Sequence, residues 1–249
     1  PGKPLILSFK RTTFLTALMS LTLFVLLLRL GFWQLDRATQ KQEIAAEYAS
    51  RRTAPVIDLA QLDEPDPDRI RWRRVNASGR YTAPDVLLDN RTRFGQVGVD
   101  VLSPFKLANG TTVLVDRGWI AAGSARETLP AFTTPTAPTE IDGYAGPPVF
   151  SGLRLSAAAD TVEKLRPDLL RVQRIDLDAL ASQVGVSLEP FIVYLDAAAS
   201  NGFDRRRPVP GDGSARHQAY ATQWFLMAAI LVIIMTGLIY RKKNRVDPN

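Results

Sequence analysis

The chain of 249 residues contains no cysteine, a single histidine and three methionines. Without cysteine no disulfide can staple the fold and no thiolate can ligate a metal, so its core must come from packing alone. One histidine cannot make the clusters from which zinc or copper sites are built, and Met19, Met227 and Met235 all lie in apolar runs near the two ends. These shortages exclude a zinc enzyme or a copper carrier from the polar middle of the chain. A Ser-His-Asp hydrolase fares little better, because His217 is the only imidazole and no G-x-S-x-G elbow is present. Asp89, Asp100, Asp116 and Asp196 sit in strand-like contexts where outward-facing or loop-capping carboxylates are expected. No catalytic constellation emerges, and the chain reads as a non-enzyme.

What the chain does have is two long apolar blocks. "TTFLTALMSLTLFVLLL" runs from Thr12 to Leu28 without a charge and continues past Arg29 to Leu35, and Gln218 to Tyr240 is uncharged throughout. A helix needs roughly 20 residues to cross ~30 Å of hydrocarbon, so both blocks read as transmembrane helices, at 12–35 and 217–240. Lys3, Lys10 and Arg11 before the first block resemble the start of a signal peptide. The run exceeds the usual apolar core of such a peptide, however, and exits through "RLGFWQLDR" without a small-residue cleavage site, so an uncleaved anchor is expected. Those basic residues, with Arg241, Lys242, Lys243 and Arg245 after the second block, place the tails 1–11 and 241–249 in the cytoplasm. Residues 36–216 then form one extracytoplasmic domain. The net charge of +6 belongs largely to these membrane flanks, so membrane lipid and not nucleic acid is the expected surface partner.

Strand signals dominate the middle. "IRWRRVNASGRY", broken at Gly79, is followed by "VLLDNRTR", "VGVDVLSPFKL" and "TTVLVDRGWI", with "FGQ" and "ANG" between the last three. Asn109-Gly110 predicts a hairpin turn, because both residues tolerate positive φ, and a meander or small barrel should result. "IDGYAG" and "EPFIVYLDA" add strands, while Leu177, Leu180, Ala181 and Val184 share the spacing of a short helix. "SNGFDRRRPVPGDGSAR" lacks apolar periodicity and reads as a linker. The expected fold is an α+β membrane protein: two transmembrane helices flanking a mostly antiparallel β domain with one short helix.

His217 stands at the mouth of the second block. If the helix begins slightly upstream, His217, Tyr220, Ala221 and Trp224 share a face at spacings of three, four and seven. Two readings are open. Tyr220 and Trp224 can be an interfacial aromatic belt that His217 caps. Alternatively, His217 can be an axial ligand to the iron of a lipophilic haem, with Arg29, Arg37 and Arg216 as candidates for its propionates, although headgroup contact explains each arginine singly. Gly118, between Arg117 and Trp119, suggests a bulge or a close backbone approach, and strand packing or a cation-π contact is the expected role of that pair.

In order along the chain, "LGFWQLDRATQK", "GRY" followed by "DNR", "SPFKLANGTTVLVDRGWI", "PFIVYLD" and "HQAYATQWF" resemble the motifs of the surfeit locus protein 1 family. The resemblance picks out Leu30, Gly31, Trp33, Gln34, Arg37 and Lys41 at the first exit, and His217, Tyr220, Ala221, Trp224 and Phe225 at the second block. Between them it picks out Gly79, Tyr81, Arg91, Pro104, Phe105, Gly110, Arg117, Gly118 and Trp119. Gln40 and Asp116 depart from what relatives often show. The resemblance implies a chaperone-like assembly factor of the respiratory chain, set in a bacterial inner membrane with its domain on the periplasmic side, that aids haem-copper cytochrome c oxidase. It further implies haem a as bound cargo, with His217 as axial ligand and Tyr220, Trp224, Trp33, Gln34 and Arg37 around it. Its implied partners are haem a synthase and the oxidase subunit that receives haem a. The alternative is a scaffold that stabilises an oxidase assembly intermediate without carrying haem.

Overall fold

No proline lies between Pro4 and Pro55, and the stretch after Leu35, "DRATQKQEIAAEYASRRT", is rich in Ala, Gln, Glu and Arg, which favour helix. The first helix therefore does not stop where the apolar block ends. In the computed structural model, which describes residues 5–62, 66–123, 130–148, 162–199 and 202–246, helix α1 spans Leu5–Thr53. At ~1.5 Å per residue its 49 residues run about 74 Å, over twice the ~30 Å of a hydrocarbon core. Pro55 follows at once, and the residue before a proline is pushed out of helical geometry.

The chain divides into a helical unit, Pro1–Glu47 with Pro208–Asn249, and a β unit, Tyr48–Arg207. In the helical unit α1 is joined by α4 (Ser214–Val246). Gly211 and Gly213 precede α4 with φ of 86° and 94°, and the Gly213 carbonyl accepts from the N–H groups of Arg216 and His217. The helix thus begins upstream of His217, as its spacing requires. Phe14–Thr53 and Ser214–Arg241 both carry stretches long and apolar enough to cross a membrane.

The β unit contains β1 (Ile57–Asp58), a 3-10 turn (Leu59–Gln61), α2 (Pro67–Ile70), β2 (Arg74–Tyr81), β3 (Asp85–Arg93), β4 (Gln96–Leu107) and β5 (Thr112–Ala121). After these come β6 (Thr139–Gly146), β7 (Glu163–Arg166), β8 (Leu169–Val172), α3 (Leu177–Val184) and β9 (Ile192–Leu195). The sheet order is β1-β2-β6-β9-β5-β4-β3-β8-β7, and a further β2–β4 pairing closes β2, β6, β9, β5 and β4 into a ring. One edge of β4 serves two partners: Gln96 to Leu102 pair with β3, and Phe105 to Leu107 with β2.

The sheet is mixed, which corrects the antiparallel expectation. β1–β2, β3–β8 and β5–β9 are parallel, because the two strands of each pair are separated by long stretches of chain; β8 itself follows β7 in a tight antiparallel hairpin. The meander holds for β3, β4 and β5, and β2 passes through Gly79 without the expected break. At Asn109-Gly110 the expected hairpin forms, with Gly110 alone of the two at positive φ, 93°, and the Thr111 N–H donating to Asn109 Oδ1 at 3.0 Å.

Alternation along β5 explains why both its faces are covered. Val113 and Val115 enter one core with Val75, Phe105, Ile141, Phe191 and Val193, while Leu114 enters a second with Val86, Leu102, Leu170, Leu180 and Ile192. α3 roofs the second core through Leu180. The helix is capped by the Asp176 carboxylate, which accepts from the Ala179 N–H at 3.1 Å, and ends on left-handed Gly185.

Candidate functional site

Within the helical unit most covered positions of α1 recur every seven residues. Phe24, Gly31, Ala38 and Ala45 form one set and Leu27, Gln34 and Lys41 the other. On α4 the same repeat runs through Ser214, Ala221, Ala228 and Met235, and through His217, Trp224 and Leu231. A strict seven-residue repeat is the seam of two helices in a left-handed supercoil. The contacts run in reverse order: Ser20 Oγ to Met235 Sδ at 3.2 Å, Gly31 against the Phe225 ring, Gln34 to His217, and Gly211 against Lys41 and Ala45. The pair is antiparallel. Apart from Phe24 and Met235, the first set on each helix consists of small residues, which lets the backbones approach closely.

Two polar side chains meet in this seam. His217 Nδ1 and Gln34 Oε1 are 2.7 Å apart, and both residues are half-buried. With the amide oxygen as acceptor, Nδ1 carries the proton, and in the neutral imidazole Nε2 keeps its lone pair. That chemistry fits an imidazole that ligates a metal through Nε2 while its other nitrogen is held by a hydrogen bond.

The other residues expected at this mouth are arranged differently. Trp33 is 49% exposed, and Arg37 lies 5.8 Å from its ring centroid while donating to Gln40 Oε1 at 3.0 Å. Tyr220 is 47% exposed, Trp224 is half-buried in the seam, and Arg29 and Arg216 are exposed. Phe225, facing Gly31, also stacks edge-on with Phe32 at 5.3 Å.

In the β unit the motif residues are turned inward. Arg117 is the extra residue of a bulge, since Val101 pairs with Gly118 and Leu102 with Asp116. Buried, it lies between the rings of Tyr81 and Phe203, at 5.1 and 5.0 Å, and donates to Thr134 Oγ1 at 2.6 Å and the Thr133 carbonyl at 2.9 Å. Thr134 Oγ1 donates at 2.7 Å to Asp85, which also accepts from Ser103. Burial lowers the Arg117 pKa from its ordinary value and pushes the Tyr81 phenol up to about 12. Trp119 donates from Nε1 to the Arg91 carbonyl at 2.6 Å, and Arg91 and Arg93 both hold the Asp100 carboxylate. Burial and the nearby Asp116 raise the Asp100 pKa against the pull of these arginines.

The segment read as a linker is only partly one. Phe203 and Asp204 form backbone hydrogen bonds with Arg117 and Trp119, and Arg207 Nη2 lies 2.6 Å from Asp116 Oδ1. Gly118 is required where this strap crosses: its φ is 116°, and a Cβ there would come within 2.8 Å of the Asp204 carbonyl. Asp85, Ser103, Thr134 and Arg207 carry no local signal in the sequence, because their partners lie far along the chain.

Comparison with known proteins identifies the family. The model of the SURF1 family matches residues 21–229, from the apolar part of α1 through the whole β unit and well into α4. The chain belongs to the SURF1 family. A SURF1-like protein of Rickettsia bellii is 27% identical over 226 residues, covering 88% of each chain. One from Rickettsia felis is 26% identical over 234 residues, covering 91% of this chain and 97% of its own. A SURF1-like protein of Mycobacterium bovis is 41% identical over a shorter stretch of 95 residues, 35% of this chain and 34% of its own. The Gln34–His217 pair, the bulge and the strap thus lie within the matched region of a SURF1 family member, and the seam runs past it at Ser20, Leu231 and Met235.

Proposed function

We propose that this SURF1 family protein is a membrane-anchored assembly factor for haem-copper cytochrome c oxidase, and that it holds haem a as cargo on His217 for delivery to the receiving oxidase subunit. The observation that carries this reading is the Gln34–His217 pair. It is a polar contact set among small and apolar seam residues, and it leaves one imidazole nitrogen with a lone pair. An imidazole that only capped a helix would need no partner across the seam. Trp33, Phe32 and Tyr220, all exposed, supply apolar surface next to the seam on which a lipophilic macrocycle can lie. Arg37, beside the Trp33 ring, is the candidate for a propionate.

Anchoring in the inner membrane is supported by the exposed apolar side chains of both helices, Met19, Ile233 and Ile239 among them, which water would penalise and lipid would accept. The basic residues at both tails favour the cytoplasm for the termini and the periplasmic side for the β unit. The proposed role needs no bond-making step, and haem a synthase is the natural donor.

The test is haem analysis of the full chain purified from a host that makes haem a. A Soret band is expected for the unaltered protein, and its loss in His217→Ala while the protein remains inserted and folded. Unchanged haem stoichiometry in His217→Ala overturns the assignment. A colourless protein that still co-purifies with oxidase subunits establishes the scaffold role in its place.

A further inference from the structure

We infer that Gln34 is a positioning residue for His217: its amide oxygen fixes the Nδ1–H tautomer, orients the ring, and so presents Nε2 as the atom that contacts iron. This assignment rests on the haem reading above and goes beyond it, because it takes Gln34 off the cargo and names the coordinating nitrogen.

Three observations converge on it. First, the 2.7 Å separation of Nδ1 and Oε1 is a full hydrogen bond, with oxygen on the amide side. Second, both residues occupy equivalent positions in the seven-residue repeat, so each backbone is held by its neighbours: Gly31 and Ala38 flank Gln34, and Ser214 and Ala221 flank His217. The hydrogen bond is therefore made between two fixed frames. Third, the sequence has no other histidine or cysteine, so a ligand's basicity and orientation can be tuned only through what this one imidazole touches.

The chemistry then follows. A glutamine amide turned the other way would donate its NH2 to Nδ1, place the proton on Nε2, and leave that nitrogen unable to bind a metal. With Oε1 inward, Nδ1–H is polarised toward the carbonyl, the lone pair on Nε2 becomes more basic, and the ring plane is set by the seam. Exchanging the acceptor for a hydrocarbon removes both effects without emptying the seam.

The single histidine makes the test direct. Full-length protein in detergent micelles, labelled with [15N]histidine and free of haem, shows the two ring nitrogens of His217 alone. The expected spectrum has a protonated Nδ1 and an unprotonated Nε2. In Gln34→Leu the proton should move toward Nε2, the tautomer that unconstrained histidine prefers, and Gln34→Glu, which keeps an oxygen acceptor, should restore the first pattern. In the haem-loaded protein Gln34→Leu should lower haem retention about 10- to 100-fold and shift the iron–imidazole stretching frequency down.

A protonated Nε2 in the unaltered protein, or a spectrum that Gln34→Leu leaves unchanged, overturns the assignment. Failure of the underlying reading looks different: protonated Nδ1 with no Soret band under any loading condition removes the iron contact together with the cargo role.

Discussion

Gln34 and His217 share one hydrogen bond in the seam of the helical unit, and in the neutral imidazole the other ring nitrogen keeps its lone pair. Arg117 in the β unit is at least as well covered, yet it is wrapped by two aromatic rings, two threonines and the Asp85 carboxylate behind them. His217 with Gln34 and Arg117 with its partners are both polar and at least half-buried, but of the two the helical pair leaves coordinating capacity over. A network whose donors and acceptors are spent on one another rigidifies a fold, whereas one that leaves a lone pair can bind something. The comparison assigns structure to the β unit's motif and leaves the helical pair as the place where the proposed ligand chemistry can be tested.

Arg117→Met should have the largest effect, because it takes the buried guanidinium from the network that reaches half-buried Asp85 through Thr134 and Ser103, and removes the cation between Tyr81 and Phe203. Breaking such a buried charge network costs about 3–5 kcal/mol, read as a lower urea midpoint by tryptophan fluorescence. If stability is unchanged, the β unit's motif is not structural and the contrast between the units collapses.

Gly31→Leu comes next. A Cβ at residue 31 would lie 2.6 Å from the Phe225 ring, so the larger side chain must push the helices apart, at a cost of about 1–3 kcal/mol. Thr22→Leu, at an exposed position, should matter little. Because the chain has no cysteine, a pair introduced at 31 and 221 reports on the seam without background. Oxidation should crosslink it within one chain, and a crosslink formed only between chains would place the seam between protomers.

The smallest effect is expected at the strap's edge. The Arg206 guanidinium holds the Asp204 carboxyl down to about 2, from an ordinary 3.8. A carboxyl depressed in the folded state contributes stability that is present above 3.8 and is lost as the pH falls toward 2. The pair is partly exposed, so Asp204→Asn should cost under about 1 kcal/mol at neutral pH and nothing once acid has protonated the native residue. An effect as large as that of Arg117→Met would mean that the strap, not the buried network, holds the bulge.

What could be read from the sequence was local. The apolar blocks, the Asn109-Gly110 turn and the face through Leu177, Leu180, Ala181 and Val184 depend on residues within a few positions of one another, and each reappears in the fold. The bulge at Gly118 could be anticipated because glycine between two large side chains marks a close approach. The continuation of α1 through residues 36–53 was written in helix-favouring composition but obscured by the end of the apolar run. Strand direction was not legible: whether β9 runs parallel to β5 depends on a return of about 70 residues, which no local pattern encodes. The strap was hidden for the same reason; Gln34, 183 positions from the imidazole it holds, came beside His217 only through the family resemblance, and the hydrogen bond between them carried no local signal.

The ring of strands has a consequence for how the chain reaches its native state. β9, at Ile192–Leu195, is the stave between β5 and β6, pairing with Leu114 to Asp116 on one side and Gly143 to Gly146 on the other. Until that segment arrives, β5 and β6 each expose a row of unpaired amides and carbonyls, the kind of edge that invites aggregation and proteolysis. Closure by a late, distant strand carries a loop-entropy cost and slows folding. A chain halted before Phe191 should therefore be degraded, not half-functional. In a cell the ring can seal only once nearly all of the β unit has been made, shortly before α4 emerges from the ribosome.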